Sequence, residues 1–149
     1  MALERRLYTA EATVTGGREQ GHGRTTDGRL DVQLRPPTEL GGDGQGTNPE
    51  QLFAVGFAAC FEGALAAVAR RERRELGEVS VDSRISLIPT PERGFHLGAA
   101  LEVSLPAIED PEEAKRIVAA AHEVCPYSNA TRGNMEVKLT ANGQPVSHS

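Results

Sequence analysis

The chain has 149 residues, 38% of them hydrophobic and 25% charged, so a single domain spanning 1–149 can bury a core without disulfides or structural metals. Its net charge of -5 leaves no basic stripe to neutralise phosphates, and we expect no nucleic-acid partner. Two cysteines do not make a secreted disulfide framework, and the N-terminus carries charges where a signal peptide needs an apolar run, so we expect a cytoplasmic protein.

The first third of the chain predicts a meander of about three strands. Small or apolar residues alternate along 8–14, and the alternation is clean along 30–34. Asp27-Gly28 lies between them and is a tight-turn signal. Residues 35–46 contain two prolines and four glycines, so we expect a flexible connection without regular structure.

A long helix is predicted next. Asn48 is placed as its N-cap, Pro49 takes the first helical position and Gln51 closes a capping box. We expect the helix to run to about Glu75, because Gly77 supplies a stop signal.

The apolar part of this helix, residues 52–69, reaches the length at which membrane spans are considered. We expect no membrane span, because Ala and Gly outnumber Leu and Ile there and because Glu62 near the centre would cost about 2.5–3.5 kcal/mol on insertion. A helix that is apolar all round is instead expected to be buried in protein.

A second hairpin is predicted from strands at 79–88 and 94–105. In the second strand the apolar residues at alternate positions fall on one face: Phe95, Leu97, Ala99, Leu101, Val103 and Leu105.

The last third predicts a second helix and a closing strand. The helix begins at a cap signature at Asp110, and its apolar stripe ends at Cys125, which therefore faces the core. Pro126 is expected to start a short turn with Cys125 as its cap, and Gly133 to end it. Residues 135–140 are expected to form a strand.

The two cysteines, Cys60 and Cys125, offer the most reactive chemistry in the chain. A cysteine thiolate is a good nucleophile, and a second thiol can resolve its sulfenic acid into a disulfide. Taken singly, each cysteine is more simply a small apolar core residue. Their spacing alone therefore leaves structural thiols and a redox pair both open.

Metal binding is not expected. The histidines show neither a His-Glu-x-x-His nor a Cys-x-x-Cys pattern, and a zinc site normally needs several protein ligands. These histidines are His22, His96, His122 and His148. A Cys–His hydrolase stays open, because the fold could bring any of them to a cysteine, although no local signature supports it.

A redox role for Cys60 needs a nearby positive charge, because a free thiol has a pKa of about 8.5 and burial raises it. Arg18 is a candidate, since Gly16 and Gly17 let the backbone turn its guanidinium inward. A buried arginine needs a carboxylate partner, and Glu50 in the first turn of the long helix is available. On its own, an exposed turn arginine is the simpler interpretation of this segment.

Four segments together are similar to a known family. They are GGR at 16–18, GTNPEQLFA at 46–54, AACF at 58–61 and VCPYSNATRGN at 124–134. In this order, and over essentially the whole chain, they resemble the organic hydroperoxide resistance proteins of the Ohr/OsmC superfamily. The long motif around the second cysteine resembles the organic hydroperoxide branch rather than the osmotically inducible one.

The resemblance implies an α+β fold with antiparallel sheets around a long buried central helix, in an intertwined homodimer with two active sites at the interface. It implies that Cys60 is the peroxidatic cysteine and Cys125 the resolving one, and that Arg18 with Glu50 holds the thiolate and orients the peroxide. It further implies a peroxidase that forms a Cys60–Cys125 disulfide, binds no cofactor and uses the dihydrolipoyl group of a lipoylated protein as external reductant.

Apolar residues near Cys60 are expected to bind the organic part of the substrate: Phe53, Phe57, Phe61 and Leu65. Burial of an alkyl chain against them, at about 25 cal/mol per Å², would favour fatty or aryl hydroperoxides over hydrogen peroxide. Two other functions stay open. One is a redox sensor or binder of apolar ligands, which would oxidise once and stop, and the other is a structural dimer with inert thiols.

A geometric expectation concerns Glu50. On a straight helix the stretch from Glu50 to Cys60 spans about 15 Å, so we expect the two side chains of one site to come from different chains. Two copies of the helix that cross antiparallel about a two-fold axis near Val55 and Gly56 would bring them level. The small residues that would permit this approach are Ala54, Gly56 and Ala59.

Overall fold

The computed structural model describes residues 4–148, which form two compact units, one ending at Pro49 and the other beginning at Glu50. Each contains a β-sheet, and the second also carries the long helices, so the α+β class is confirmed. The expectation of one domain across 1–149 stays a prediction.

The first unit is the predicted three-stranded antiparallel meander. Its strands, in the order β1-β2-β3, are β1 (Ala12–Thr15), β2 (Gly21–Thr25) and β3 (Asp31–Leu34). β1 starts later than the predicted 8–14, because β2 ends at Thr25, opposite Ala12, and the chain then turns away.

Local signals set the connections of this sheet. Between β2 and β3 the Asp27 carboxylate accepts the N–H of Arg29, and Gly28 has a φ of 73°, so the predicted tight turn is confirmed. The connection after β3 is not wholly irregular as expected. Thr38–Leu40 form one 3₁₀ turn, which Gly41 closes in the left-handed conformation.

The second unit is built on α1, which runs unbroken over Pro49–Glu72. Its start is as predicted, but it ends before the expected Glu75. Arg73 adopts a φ of 54°, and the N–H of Arg74 donates to the carbonyl of Ala69. Arg73 therefore ends α1 in the left-handed conformation that a glycine more commonly adopts at a helix C-terminus.

Within one chain α1 is buried on one face only, so the expectation that protein covers it on all sides stays a prediction that depends on a second copy of the chain. The buried side chains recur at helical spacing: Phe57, Phe61, Ala64, Leu65 and Val68. On the opposite face Val55 is 71% exposed, and Ala59 and Ala66 are exposed too. By length and composition alone α1 could cross a membrane, with 33% of its most apolar window buried in the chain. We still expect no membrane, because the buried face belongs to the protein core.

The second sheet has the order β4-β5-β6-β7. Its strands are β4 (Ser80–Pro89), β5 (Phe95–Ser104), β6 (Val137–Ala141) and β7 (Gln144–Pro145). β4 and β5 form the predicted hairpin, whereas β7 was not predicted. β5 and β6 pair in parallel, which corrects the expectation of purely antiparallel sheets. The helical segment between them returns the chain to the same end of the sheet.

The apolar face of β5 is buried at Leu101 and Val103, as predicted, but Phe95 at its start is 68% exposed. β6 pairs with β5 only from Ala99 onward. The beginning of β5 therefore lies outside the part of the sheet that the core covers.

Two further helices lie between β5 and β6. α2 (Pro111–Val124) starts at the predicted cap, where the Asp110 carboxylate accepts the N–H of Glu112. Its buried residues include most of the predicted stripe: Ala114, Ile117, Val118 and Ala121. α3 (Pro126–Thr131) follows directly after Cys125, as predicted.

Ion pairs join the end of α1 to the beginning of α2. Arg116 Nη2 lies 2.7 Å from Glu72 Oε1 and 2.6 Å from Glu113 Oε1, and Arg74 Nη1 lies 2.6 Å from the same Glu113 oxygen. Arg116 holds the pKa of both carboxyl groups below the usual value. These contacts tie the first turns of α2 to the end of α1.

Candidate active site

The structure brings the two cysteines together. Cys60 lies on α1 and Cys125 between α2 and α3, and their Sγ atoms are 3.6 Å apart. Both are free thiols; Cys125 is fully buried and Cys60 is half-buried. A disulfide requires about 2.05 Å between sulfurs, so an approach of about 1.5 Å would join them. Of the two, Cys60 is the one that a substrate can reach.

The surroundings of Cys60 disfavour its charged form. Burial raises the pKa of the thiol, and the neighbouring Cys125 raises it further, whereas the backbone N–H of Tyr127 lowers it. A cysteine in this position needs additional positive potential to react as a thiolate near neutral pH.

The position of Cys125 is set by its local sequence. The following Pro126 excludes Cys125 from helical geometry, and Cys125 adopts a ψ of 122° as the N-cap of α3. Its Sγ accepts the N–H of Ser128 at 3.4 Å. The same proline thus ends α2, starts α3 and points the buried thiol towards α1.

His122 is buried in the last turn of α2, three residues before Cys125. Its Nδ1 lies 2.9 Å from Ser128 Oγ, while Arg132 Nη2 donates to its carbonyl at 2.6 Å. Burial lowers the pKa of His122 to about 4, with His148 and Arg132 as smaller causes. The imidazole is therefore neutral near pH 7 and engages a serine rather than a thiol, so the open Cys–His hydrolase interpretation gains no support.

Acid is expected to destabilise the fold through His122. Its pKa is about 4 in the folded chain and near 6.5 in the unfolded chain, so the unfolded chain binds the proton first and stability is lost as the pH falls through this range. The free energy of unfolding is expected to be about 3 kcal/mol lower at pH 4 than at neutral pH. Urea unfolding at fixed protein concentration measures it. His122→Asn, which keeps a polar group beside Ser128 but does not titrate, should lose less stability in acid than the wild type; equal losses would contradict the assignment.

Three aromatic rings lie beside the cysteine pair. The Tyr127 ring is 5.7 Å, centroid to centroid, from those of both Phe53 and Phe57. Tyr127 is 36% exposed and Phe53 is half-buried, so the cluster has an accessible apolar edge. Sequence reasoning did not single out Tyr127, although an aromatic residue directly after the Cys-Pro pair was a usable signal.

The residues predicted to bind substrate differ in accessibility. Phe57 and Phe61 have no exposed surface, and Leu65 has 1%. They lie on successive turns of α1 and belong to the same core cluster as residues of the second sheet and α2. Phe53 alone of the four offers accessible surface in the described chain.

Glu50 lies in the first turn of α1, and the helix between it and Cys60 has no break. Within one chain the two residues are therefore separated by about 15 Å along the helix axis. Arg18 lies in the turn between β1 and β2, where Gly16 and Gly17 both adopt positive φ, as the sequence predicted. Arg18 belongs to the first unit, and its role towards Cys60 stays a prediction.

The chain is similar to known proteins both in sequence and in structure. Residues 42–140 match the family model described as OsmC-like protein. The chain is 52% identical over 139 residues to an organic hydroperoxide resistance protein from Xanthomonas axonopodis pv. citri (strain 306), covering 92% of this chain and 96% of that protein. It is 46% identical over 134 residues to the organic hydroperoxide resistance protein OhrB of Bacillus subtilis (strain 168), covering 89% and 96%.

A crystal structure of an organic hydroperoxide resistance protein from Legionella pneumophila has a TM-score of 0.87 and 54% sequence identity to this chain. The match covers 91% of this chain and 98% of the other. Since the family model spans most of the sequence and relatives of this identity cover nearly all of it, the chain belongs to the OsmC-like family.

Proposed function

We propose that this chain is a cysteine-based thiol peroxidase that reduces organic hydroperoxides and protects against peroxide damage. The observation that carries the proposal is the 3.6 Å separation between a half-buried Cys60 and a buried Cys125. Relatives named for organic hydroperoxide resistance support the choice of substrate class.

The proposed reaction begins when the Cys60 thiolate attacks the terminal oxygen of R–O–OH. The S–O bond forms as the O–O bond breaks, and the alkoxide takes a proton and leaves as the alcohol. The Cys60 sulfenic acid then condenses with the Cys125 thiol, which gives a disulfide and releases water. The hydroperoxide is reduced by two electrons, and the two thiols supply them.

A dithiol must return the disulfide to two thiols. We assign this step to a dihydrolipoyl group on a lipoylated partner protein, which becomes the cyclic disulfide as Cys60 and Cys125 are reduced. No metal, haem or flavin enters this scheme. A cytoplasmic location would supply the reducing conditions in which both cysteines stay thiols between turnovers.

The organic part of the substrate is assigned to the accessible aromatic edge beside Cys60. Phe53 and Tyr127 supply the exposed surface, and the buried Phe57 ring packs against both of them. Fatty or aryl groups would gain about 25 cal/mol for each Å² of apolar surface that they bury there. Hydrogen peroxide has no such group, which is the basis of the expected selectivity.

A homodimer is part of the proposal. The exposed face of α1 presents Val55, Ala59 and Ala66, with the exposed Glu62 between the last two, and a second copy of the chain would cover the apolar part of this face. Isologous pairs are the commonest oligomers. Gly56 does not belong to this strip, because a side chain there would meet the Tyr127 ring of the same chain. In the proposed crossing of two α1 helices, Val55 and Ala59 would make the contact, and Gly56 would take no part in it.

A peroxidase assay tests the proposal. Steady consumption of cumene hydroperoxide with dihydrolipoamide as donor, and much slower consumption of hydrogen peroxide, is the expected result. A redox sensor would oxidise once and stop, and inert structural thiols would react with neither peroxide. Either of those two outcomes would overturn the assignment of a catalytic peroxidase.

Replacing Arg18 by Met is expected to raise the pKa of Cys60 and to slow its oxidation, because a fixed positive charge is lost. Arg18→Lys should rescue poorly, since an ammonium cannot bind a carboxylate and a peroxide in the same forked manner. The pH dependence of Cys60 alkylation measures the shift. Arg29→Met, at an exposed arginine after the β2–β3 turn, is the matched control. Unchanged thiol titration in Arg18→Met would remove Arg18 from the mechanism.

A further inference from the structure

His122 joins the last turn of α2 to α3 across the corner that Cys125 forms between them. Its ring Nδ1 lies 2.9 Å from the hydroxyl oxygen of Ser128, and its backbone carbonyl accepts the Arg132 guanidinium at 2.6 Å. Ser128 lies in the first turn of α3, and Arg132 follows its last residue. One residue of α2 therefore bonds to both ends of the short helix.

The position of the Cys125 sulfur depends on the same serine. Ser128, whose hydroxyl meets His122, donates its backbone N–H to Cys125 Sγ at 3.4 Å. That sulfur also lies 3.6 Å from the Sγ atom of Cys60. A cysteine side chain has three staggered rotamers, which direct its sulfur three different ways. A sulfur that accepts from Ser128 and contacts Cys60 at the same time is held in one of them.

The His122–Ser128 pair is polar, although it lies in the core. His122 is 1% exposed and Ser128 has no exposed surface. The ring of His148 packs edge-on against His122 at 4.5 Å, and its Nε2 donates to the carbonyl of Val137 at 2.7 Å. Apolar side chains of similar shape would fill this space at about the same stability, because a buried hydrogen bond adds little net free energy. Stability alone therefore does not account for the pair, whereas its contact with the Cys125 corner does.

We propose that His122 is a positioning residue for the resolving thiol: through Ser128 it holds the Cys125 sulfur towards Cys60. The inference rests on the proposed function only in taking Cys60 as the sulfur that reacts first. His122 affects the second step, in which Cys125 attacks the Cys60 sulfur and displaces its leaving group. The first attack by Cys60 does not involve the pair.

An aromatic disulfide separates the two steps without any peroxide. Cys60 attacks dithiodipyridine in excess, which gives a mixed disulfide and releases one thiopyridone. The Cys125 thiol then attacks the Cys60 sulfur, which forms the Cys60–Cys125 disulfide and releases a second thiopyridone. Stopped-flow absorbance of thiopyridone measures both phases. Cys60→Ser should release none, because Cys125 is buried; release would overturn the proposal, since it would show the Cys125 sulfur turned to solvent.

Two variants remove the hydrogen bond of the pair from opposite sides. His122→Leu should slow the second phase about tenfold, the factor that corresponds to one lost buried hydrogen bond, and leave the first phase unchanged. Ser128→Ala should have the same effect, and it carries the test if His122→Leu does not fold. His122→Asn is the conservative rescue. Its amide can meet the Ser128 hydroxyl, so the second phase should stay near the wild-type rate.

Thr131→Val is the matched control. Thr131 is also buried in α3, and its hydroxyl lies 2.9 Å from the carbonyl oxygen of Tyr127 and 3.3 Å from that of Ser128. Valine keeps the shape of threonine and removes this hydroxyl. Because the hydroxyl bonds only within α3 and not to α2, both phases should keep their wild-type rates.

A double variant separates positioning from stability. His122→Leu with Ser128→Ala leaves neither polar group of the pair unpaired, so its urea unfolding midpoint should lie above those of the single variants. Its second phase should nevertheless stay about tenfold slow, because the bond that holds Ser128 is still absent. A merely structural pair would recover its midpoint and its rate together.

Unchanged second phases in His122→Leu and Ser128→Ala would overturn the proposal. The same conclusion would follow from an equal slowing in Thr131→Val, from a double variant that recovers its rate, or from His122→Asn as slow as His122→Leu. A chain that shows the predicted phases but consumes no hydroperoxide would refute the peroxidase and keep the positioning role. Normal peroxide turnover with unchanged second phases would do the reverse.

Discussion

The Cys60→Ser variant is expected to consume no organic hydroperoxide, whereas Cys125→Ser is expected to consume about one equivalent per subunit to form the sulfenic acid, a second as that acid is oxidised to the sulfinic acid, and then to stop. Cys60 is the half-buried sulfur of the pair and Cys125 the buried one, so the first oxidation requires only Cys60. Without a resolving thiol its sulfenic acid persists and is oxidised further to the sulfinic acid. The two variants must therefore differ in stoichiometry as well as in rate.

Mass spectrometry after titration with cumene hydroperoxide measures both outcomes. Serine at position 125 can accept the Ser128 N–H as the thiol does, so a folding defect is not expected to explain the loss of turnover. Wild type should gain no oxygen and lose two hydrogens as its disulfide forms. Sustained turnover in either variant, or a Cys125→Ser chain that resists the first oxidation, would show that the roles are assigned wrongly.

The parts of this site that could be predicted from the sequence are those set by neighbours along the chain. Asp110 caps α2 through the N–H of a residue two positions on, and Cys125 is shaped by the proline that follows it. Such signals act over a few residues and need no tertiary context. They placed Cys125 at a helix start with its side chain directed to the core, which is where the structure has it.

Other features depended on contacts between distant segments. The parallel pairing of β5 with β6 is fixed by where the intervening helices return the chain, which no local pattern specifies. The missing side chain at Gly56 has meaning only because the ring of Tyr127, far away in sequence, fills the space. Without that partner, Gly56 was interpreted as a point of close approach between two helices.

Helical periodicity alone also predicted a larger substrate-binding surface on α1 than solvent can reach. Phe53, Phe57, Phe61 and Leu65 lie on one face of α1, as their spacing predicts, but a shared face does not decide whether solvent or the core covers it. The first turns of α1 face the aromatic edge, and the later turns face the sheet and α2. The accessible part of the stripe is therefore its N-terminal end at Phe53.

Mixing two inactive variants is expected to restore activity. Cys60→Ser lacks the nucleophile and Glu50→Ala lacks the carboxylate assigned to Arg18, so each homodimer should be inactive. α1 is unbroken between these positions, which separates them by about 15 Å within one chain. If two helices cross antiparallel near Val55, Glu50 of one chain lies level with Cys60 of the other. A heterodimer then has one complete site and should show about half of the wild-type activity.

The matched control mixes Cys60→Ser with Cys125→Ser. The two sulfurs are 3.6 Å apart within one chain, so neither subunit of this heterodimer can form the disulfide, and sustained turnover should not return. Recovery with Glu50→Ala but not with Cys125→Ser would assign the carboxylate to one subunit and the cysteine pair to the other. No recovery in verified Glu50→Ala heterodimers would place Glu50 and Cys60 of one site in the same chain, which requires a break in α1 that the structure does not have.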